Sequence, residues 1–62
     1  MAVHKKIKQY RIGKHLTMRQ VSEELGITES CYCLYENGKR KPSFDVLVKL
    51  AKIYGCTVND FV

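Results

Sequence analysis

Apolar residues recur every three or four positions along this 62-residue chain, and four glycines and one proline divide the pattern into short segments. None of the segments alternates apolar and polar residues as a half-buried strand does, whereas each has the spacing of an amphipathic helix. The sequence therefore predicts an all-α fold of five short helices in a single domain, residues 1–62. The predicted helices cover about residues 3–12, 18–25, 28–37, 43–54 and 58–62.

The core is predicted from the inward faces of these helices. In the first helix, Val3, Ile7 and Tyr10 share one face, and Gly13 is expected to end it. In the last turn, Val58 and Phe61 are expected to close the core. The fourth helix is expected to bury a stripe of five residues: Phe44, Leu47, Leu50, Ala51 and Tyr54.

Two consecutive helices have clear start signals. Thr17 is a good N-cap, and Gln20 three residues later completes a capping box. Thr28 caps the next helix in the same way. Only Gly26, Ile27 and Thr28 separate the two, which is the short glycine-containing turn of a helix-turn-helix pair.

The third helix has two chemically different sides. At 100° per residue, Tyr32, Tyr35 and Glu36 face inward, with the tyrosine hydroxyls reaching toward the rim of the core. The opposite side consists of Ser30, Leu34 and Asn37, with Glu29 and Cys33 on one flank.

The charge is strongly and unevenly positive. Eleven Lys and Arg residues outnumber six Asp and Glu residues, for a formal net charge of +5. Residues 1–15 contain no acid, and a second basic cluster lies at Lys39, Arg40 and Lys41. Such a surface suits DNA, RNA or an anionic membrane. No apolar run approaches the ~18 residues of a membrane span, so we expect no membrane partner.

The three cysteines, Cys31, Cys33 and Cys56, do not indicate a disulfide framework. Their number is odd, no signal-peptide pattern precedes them, and the helices supply a core without cross-links. We therefore expect reduced thiols and a cytoplasmic location. On a helix, Cys31 and Cys33 point about 200° apart, which does not suit one metal ion. His4 and His15 form no catalytic pattern, so no enzyme activity, cofactor, metal or small-molecule ligand is predicted.

Two stretches, Leu16–Thr28 and Tyr35–Ser43, resemble the helix-turn-helix of the Cro/repressor-type (XRE-like) family of transcriptional regulators. Leu47–Phe61 is similar to the last two helices of that family. The resemblance implies a lambda-repressor-like DNA-binding domain whose third helix enters the major groove of double-stranded DNA, usually as a homodimer. It thus predicts a transcriptional regulator, a repressor on a palindromic operator.

The resemblance places base contacts at Glu29, Ser30 and Leu34, where the amide and arginine side chains common in the family are missing. Glu29 suits a cytosine amine, or else only stabilises the helix dipole. Leu34 suits a thymine methyl group, a protein interface, or no contact at all. The outward face of the helix gives the full predicted base-reading set: Thr28, Glu29, Ser30, Cys33 and Leu34.

Phosphate contacts are expected to flank this face and to set its register without carrying sequence information. Met18 stands where the family often has glutamine and cannot make the side-chain bond to phosphate, which leaves the backbone amides at the start of this helix as the expected donors. Arg11 and Glu36 match a pair that the family commonly uses as a structural ion pair. The predicted phosphate-binding residues are Thr17, Met18, Arg19, Asn37, Lys39, Arg40, Lys41, Lys5 and Lys6.

One alternative function stays open at this point. The same fold serves as a protein-interaction module, antitoxin-like or a co-regulator, whose DNA binding is secondary. Co-purification with a partner and weak, unselective DNA binding would favour it.

Overall fold

The computed structural model describes residues 2–62, which form four α-helices and one 3₁₀ turn joined by short loops. The helices are α1 (Val3–Gly13), α2 (Met18–Leu25), α3 (Glu29–Glu36) and α4 (Phe44–Tyr54), and the 3₁₀ turn spans Val58–Asp60. No strand occurs in these residues, and the all-α fold class is confirmed.

The prediction of a fifth helix is wrong, because residues 58–60 form only one 3₁₀ turn. The Asp60 carboxylate accepts from the Thr57 backbone amide at 2.9 Å, which closes the turn after three residues. Phe61 then leaves the turn to enter the core, where it is fully buried. Short 3₁₀ turns are common where so little chain separates a cap from a buried anchor.

Side chains immediately before α2, α3 and α4 fix where these helices begin. Thr17 Oγ1 accepts from the Gln20 amide at 3.0 Å, and Gln20 Oε1 accepts from the Thr17 amide at 2.8 Å. Thr28 caps α3 and Ser43 caps α4 in the same manner, through bonds of 3.1 and 3.3 Å. Each cap stabilises its helix by about 1 kcal/mol. The helix starts are therefore encoded within four residues of sequence.

All four α-helices end in the same hydrogen-bonding motif. At each end the residue that follows a left-handed residue donates its amide to the carbonyl five positions earlier, as in Leu16 N to Arg11 O (3.1 Å). Gly26, Gly38 and Gly55 supply the left-handed residue at three of these ends. In α1 it is His15, with φ of 58°, rather than the expected Gly13, because the helix continues through Gly13 to a C-cap at Lys14. Histidine is among the residues that tolerate this conformation.

Aromatic rings from three elements fill one side of the core. The ring of Tyr10 lies 6.3 Å from that of Tyr54 and 5.6 Å, edge to face, from that of Phe61. Such ring pairs stabilise a fold beyond the area that they bury. The nine buried apolar residues are Ile7, Val21, Leu25, Tyr32, Tyr35, Leu50, Ala51, Tyr54 and Phe61.

The prediction that Phe44 is buried is wrong, since 68% of its surface is exposed. Burial increases along α4, from Phe44 through half-buried Leu47 to fully buried Leu50. The first turn of α4 thus projects past the helices that cover the rest of the predicted stripe.

A charged pair inside the molecule joins α3 to α1. Arg11 Nε donates to Glu36 Oε2 at 2.6 Å and Arg11 Nη2 to Glu36 Oε1 at 3.2 Å. The side chains are only 14% and 4% exposed. Arg11 Nη1 also donates to the Leu16 carbonyl at 2.9 Å. The hydrogen bond to Glu36 raises the pKa of Arg11, so the guanidinium stays charged.

A second polar pair lies deeper and joins α3 to α4. The hydroxyl oxygens of Tyr32 and Tyr54 are 2.7 Å apart, so one hydroxyl donates to the other. The expectation that the Tyr32 hydroxyl reaches the rim is therefore wrong, because Tyr54 supplies it with a buried partner. Burial raises the pKa of Tyr54 to about 12, and burial with contacts to Glu36 and Tyr54 raises the pKa of Tyr32 further. Both hydroxyls stay protonated at neutral pH.

Replacing Arg11 with leucine is expected to lower the free energy of unfolding by about 3 kcal/mol, because the Glu36 carboxylate would stay buried without its partner. Urea denaturation followed by circular dichroism measures the change. Arg19→Leu is the matched control, since it breaks an exposed pair with Glu23, 3.3 Å long, whose members are 78% and 68% exposed. It should cost no more than about 0.5 kcal/mol. Equal losses in both variants would contradict this account.

A substitution at Gly38 is expected to disturb α1 as well as the loop. Gly38 has φ of 74°, and a Cβ there would lie 2.9 Å from Nδ1 of His4. Gly26 has almost the same φ, 73°, but open space around it. Gly26→Ala should therefore cost about 1 kcal/mol of backbone strain, and Gly38→Ala about 1 kcal/mol more for displacing the imidazole.

Urea denaturation of both glycine variants, with His4→Ala added to each, checks this difference. The His4→Ala change should relieve part of the loss in Gly38→Ala and none of the loss in Gly26→Ala. If the two glycine variants are equally stable, the imidazole yields freely and the expectation fails.

Candidate nucleic-acid interface

The turn between α2 and α3 is three residues long and held at both ends. The Gly26 amide donates to Glu23 O at 3.1 Å and the Ile27 amide to Ser22 O at 3.0 Å, which ends α2. Thr28 then caps α3. The two helices pack directly on each other, and Ile27 is half-buried beneath the turn. This is the geometry of a helix-turn-helix pair.

The inner side of α3 packs in the molecule and its outer side meets solvent. Tyr32, Tyr35 and Glu36 are buried, at 7% exposure or less. The residues predicted to read bases lie on the other side: Thr28, Glu29, Ser30 and Leu34 are exposed, and Cys33 is half-buried. The outer side thus offers a carboxylate, two hydroxyls, a thiol and an apolar side chain, with no cation among them.

Two of these outer residues have particular surroundings. Leu34 is 37% exposed, which is unusual for leucine on a short amphipathic helix. The thiol of Cys33 accepts from Asn37 Nδ2 at 3.3 Å, so the Asn37 amide lies along the helix rather than extending from its end. Asn37, predicted to contact phosphate, is exposed, and its side-chain NH2 group has a second N–H that can donate to an acceptor.

The loop after α3 carries the densest positive charge. Lys39, Arg40 and Lys41 are all exposed. The amides of Lys39 and Arg40 both donate to Leu34 O, at 3.1 and 3.2 Å, which fixes the loop against the end of α3. Arg40 Nη1 lies 3.9 Å from the Cys31 thiol, so its guanidinium folds back along the helix.

The beginning of α1 adjoins the same loop through His4. The imidazole covers the open side of Gly38, as the spacing at that glycine shows. Lys5, exposed, and Lys6, partly buried, follow His4 directly. Sequence reasoning assigned His4 no role, and no sequence signal could have revealed a contact between residues 34 positions apart.

The start of α2 has fewer groups available to bind phosphate than predicted. The amide of Thr17 and its side-chain oxygen are both engaged in the capping box with Gln20. Met18 is half-buried against the core. Arg19 remains largely exposed, although its guanidinium lies against Glu23. Of these three predicted phosphate ligands, Arg19 therefore has the most accessible donor groups.

Residues 2–62 hold no cluster of three or more potential metal-ligating side chains, and none of their helices is long and apolar enough to cross a membrane. The three cysteines are free thiols, each partly buried.

Comparison with known proteins agrees with this geometry. The sequence profile of a family described as helix-turn-helix matches residues 7–61. The chain is 41% identical over 54 residues to the uncharacterized HTH-type transcriptional regulator YobD of Bacillus subtilis, covering 87% of this chain and 48% of that protein. It is 32% identical over 57 residues to the cryptic phage CTXphi transcriptional repressor RstR of Vibrio cholerae, covering 92% and 51%.

A shorter relative is matched over most of its length. The uncharacterized HTH-type transcriptional regulator MJ0272 of Methanocaldococcus jannaschii is 33% identical over 55 residues, which cover 89% of this chain and 83% of that protein. The chain spans about half the length of YobD and RstR. These relatives are named as transcriptional regulators, and the chain belongs to the Cro/repressor-type (XRE-like) family of helix-turn-helix, DNA-binding transcriptional regulators.

Proposed function

We propose that residues 1–62 form one sequence-specific DNA-binding domain that acts in the cytoplasm as a transcriptional repressor. Two copies bind a palindromic operator, and each inserts α3 into the major groove of one half-site. The operator is occluded by this binding, without a cofactor or small-molecule ligand.

The observation that carries the proposal is the exposed outer side of α3 with cations beside it. The major groove admits one α-helix, and phosphates border it on both sides. Lys39, Arg40 and Lys41 adjoin the C-terminal end of α3, while Arg19 lies on the neighbouring helix α2. A helix flanked by these cations can enter the groove while the cations neutralise the phosphates that border it.

Base recognition is assigned to the outer side of α3. Glu29 accepts a hydrogen bond from a cytosine N4 amine, and Leu34 packs on a thymine methyl group. Thr28 and Ser30 hydroxyls serve as either donors or acceptors, and Cys33 lines the same surface. Since none of these five base-reading residues is an arginine or carries a side-chain amide, bidentate contacts to purines are not part of the mechanism.

Phosphate binding is assigned to the basic loop, with support from α1 and α2. Lys39, Arg40 and Lys41 supply half of the six positive charges in the set. Lys5 and Lys6 approach from α1, whose start lies beside this loop. Thr17, Met18, Arg19 and Asn37 complete the set, in which Met18 contributes only its backbone amide.

Dimerisation is inferred from the two-fold symmetry with which helix-turn-helix domains bind palindromic DNA, and repression is inferred from one named relative. Recognition helices related by a two-fold axis read half-sites about 34 Å apart, one turn of B-DNA. RstR is named as a transcriptional repressor. A dimer on such a site would exclude other proteins from the same stretch of DNA.

Selection of bound duplexes from a random DNA pool tests the proposal. We expect a palindrome whose half-sites are one helical turn apart, bound by two chains per duplex in sedimentation experiments. An unselective pool together with a stable co-purifying protein would favour the protein-interaction module instead. A selected site placed within a promoter should lower transcription of a reporter, and increased transcription would contradict repression.

Substitutions in the loop and on α3 should have different consequences. Lys39→Ala is expected to weaken binding to the selected and to random duplexes alike and to lower the salt slope by about one unit, because it removes a phosphate contact. Leu34→Ala should mainly weaken binding to the selected duplex, since it removes a base contact. Fluorescence anisotropy titrations over a range of salt concentrations measure both.

Lys52→Ala is the matched control for net charge. Lys52 is exposed in the last turn of α4, outside the proposed interface, and its loss changes the total charge by the same amount. It should leave the salt slope nearly unchanged. Equal weakening of both duplexes by Leu34→Ala would remove Leu34 from the base-reading set.

A further inference from the structure

The helix α3 is attached to the rest of the molecule by two polar links, and the second has no place in the function described above. The first is the ion pair of Glu36 with Arg11 of α1. The second is the hydroxyl pair of Tyr32 and Tyr54. Tyr32 and Glu36 are one helical turn apart, so the two links are separated by about 6 Å along α3.

The hydroxyl pair is a hydrogen-bonded link between α3 and α4 inside the core that both helices share. α3 packs against α2 and α1, whereas its backbone hardly approaches that of α4. Tyr32 and Tyr54 are 0% and 1% exposed. A hydrogen bond so far from water is strong, and breaking it by removing one partner is costly. Every buried side-chain nitrogen and oxygen within residues 2–62 has a partner, and the other polar group beside the Tyr32 hydroxyl, the Glu36 carboxylate, is already bound to Arg11.

Two attachment points fix a direction that one point leaves free. α3 has eight residues and is about 12 Å long. If only the Glu36 link held it, the helix could tilt about that end. Glu29 lies seven residues away, about 10 Å along the axis, so a tilt of about 6° would move it by about 1 Å. Recognition geometry tolerates only about 0.5 Å.

We propose that the Tyr32–Tyr54 hydroxyl pair sets the tilt of α3, and that Tyr54 is a positioning residue for sequence discrimination. Tyr54 lies in α4 and faces the core, so it acts through Tyr32 and not by touching DNA. This inference rests on the proposed function in that α3 is the base-reading helix. The residues most affected are those before Tyr32, namely Glu29 and Ser30.

The test uses the double variant Tyr32→Phe/Tyr54→Phe, which removes both hydroxyls and leaves neither without a partner. Replacing both partners by apolar groups of the same shape changes stability little. Tyr10→Phe is the matched control, because the ring of Tyr10 stacks near that of Tyr54 and this change removes one hydroxyl that is not part of the Tyr32–Tyr54 pair. Urea denaturation establishes that all variants are folded at the temperature of the binding assay.

Two measurements are made on each variant. The first is the ratio of dissociation constants for random and selected duplexes. We expect this ratio to be about tenfold lower in the double variant, a loss comparable to that of one base contact. Its affinity for random duplexes should be unchanged, and the ratio for Tyr10→Phe should equal that of the unmodified chain. The second is the orientation of α3 relative to α1 and α4 in the free protein, from amide residual dipolar couplings. We expect a change of several degrees in the double variant only.

Each contrary result has a definite meaning. An unchanged orientation of α3 overturns the inference whether or not the domain selects a DNA sequence. A changed orientation with an unchanged ratio also overturns it, as does an equal loss of affinity for both duplexes. A wild-type chain that shows no preference for any duplex overturns the proposed function, and the dipolar couplings then still decide whether the hydroxyl pair orients α3.

Discussion

The buried ion pair between Arg11 and Glu36 is the interaction on which the DNA-facing surface depends. α3 is only eight residues long, too short to persist as an isolated helix in water. Its position therefore comes entirely from what it packs against. Through one guanidinium, α3 is joined to α1, and the same guanidinium also holds the Leu16 carbonyl just before α2. One end of the base-reading helix is thus held to both neighbours through a single side chain.

Most of the helical framework could be predicted from the sequence because its signals are local. Thr17, Thr28 and Ser43 each bond a backbone amide three residues away, and Gly26 and Gly55 take up the left-handed conformation that ends a helix. Such interactions need no knowledge of the rest of the chain. The periodicity of α3 likewise separated its buried side from its exposed side.

Three of the features that sequence reasoning missed depend on distant residues. The Tyr32 and Tyr54 hydroxyls meet across 22 positions, and His4 meets Gly38 across 34. The exposure of Phe44 depends on which helices fail to reach it, which periodicity cannot show. The base and phosphate contacts remain predictions, because they depend on a partner molecule whose position neither the sequence nor the protein fold specifies.

The shared way in which the helices end has a kinetic consequence. Each helix carries its own stop signal, and most close residue pairs within residues 2–62 lie fewer than 12 positions apart, so few of the contacts that form early require closing a long loop. Proteins dominated by such local contacts cross their folding barrier in microseconds to milliseconds. A newly synthesised copy of these residues is therefore expected to reach its folded shape within milliseconds, with no slow step of long-range pairing to wait for.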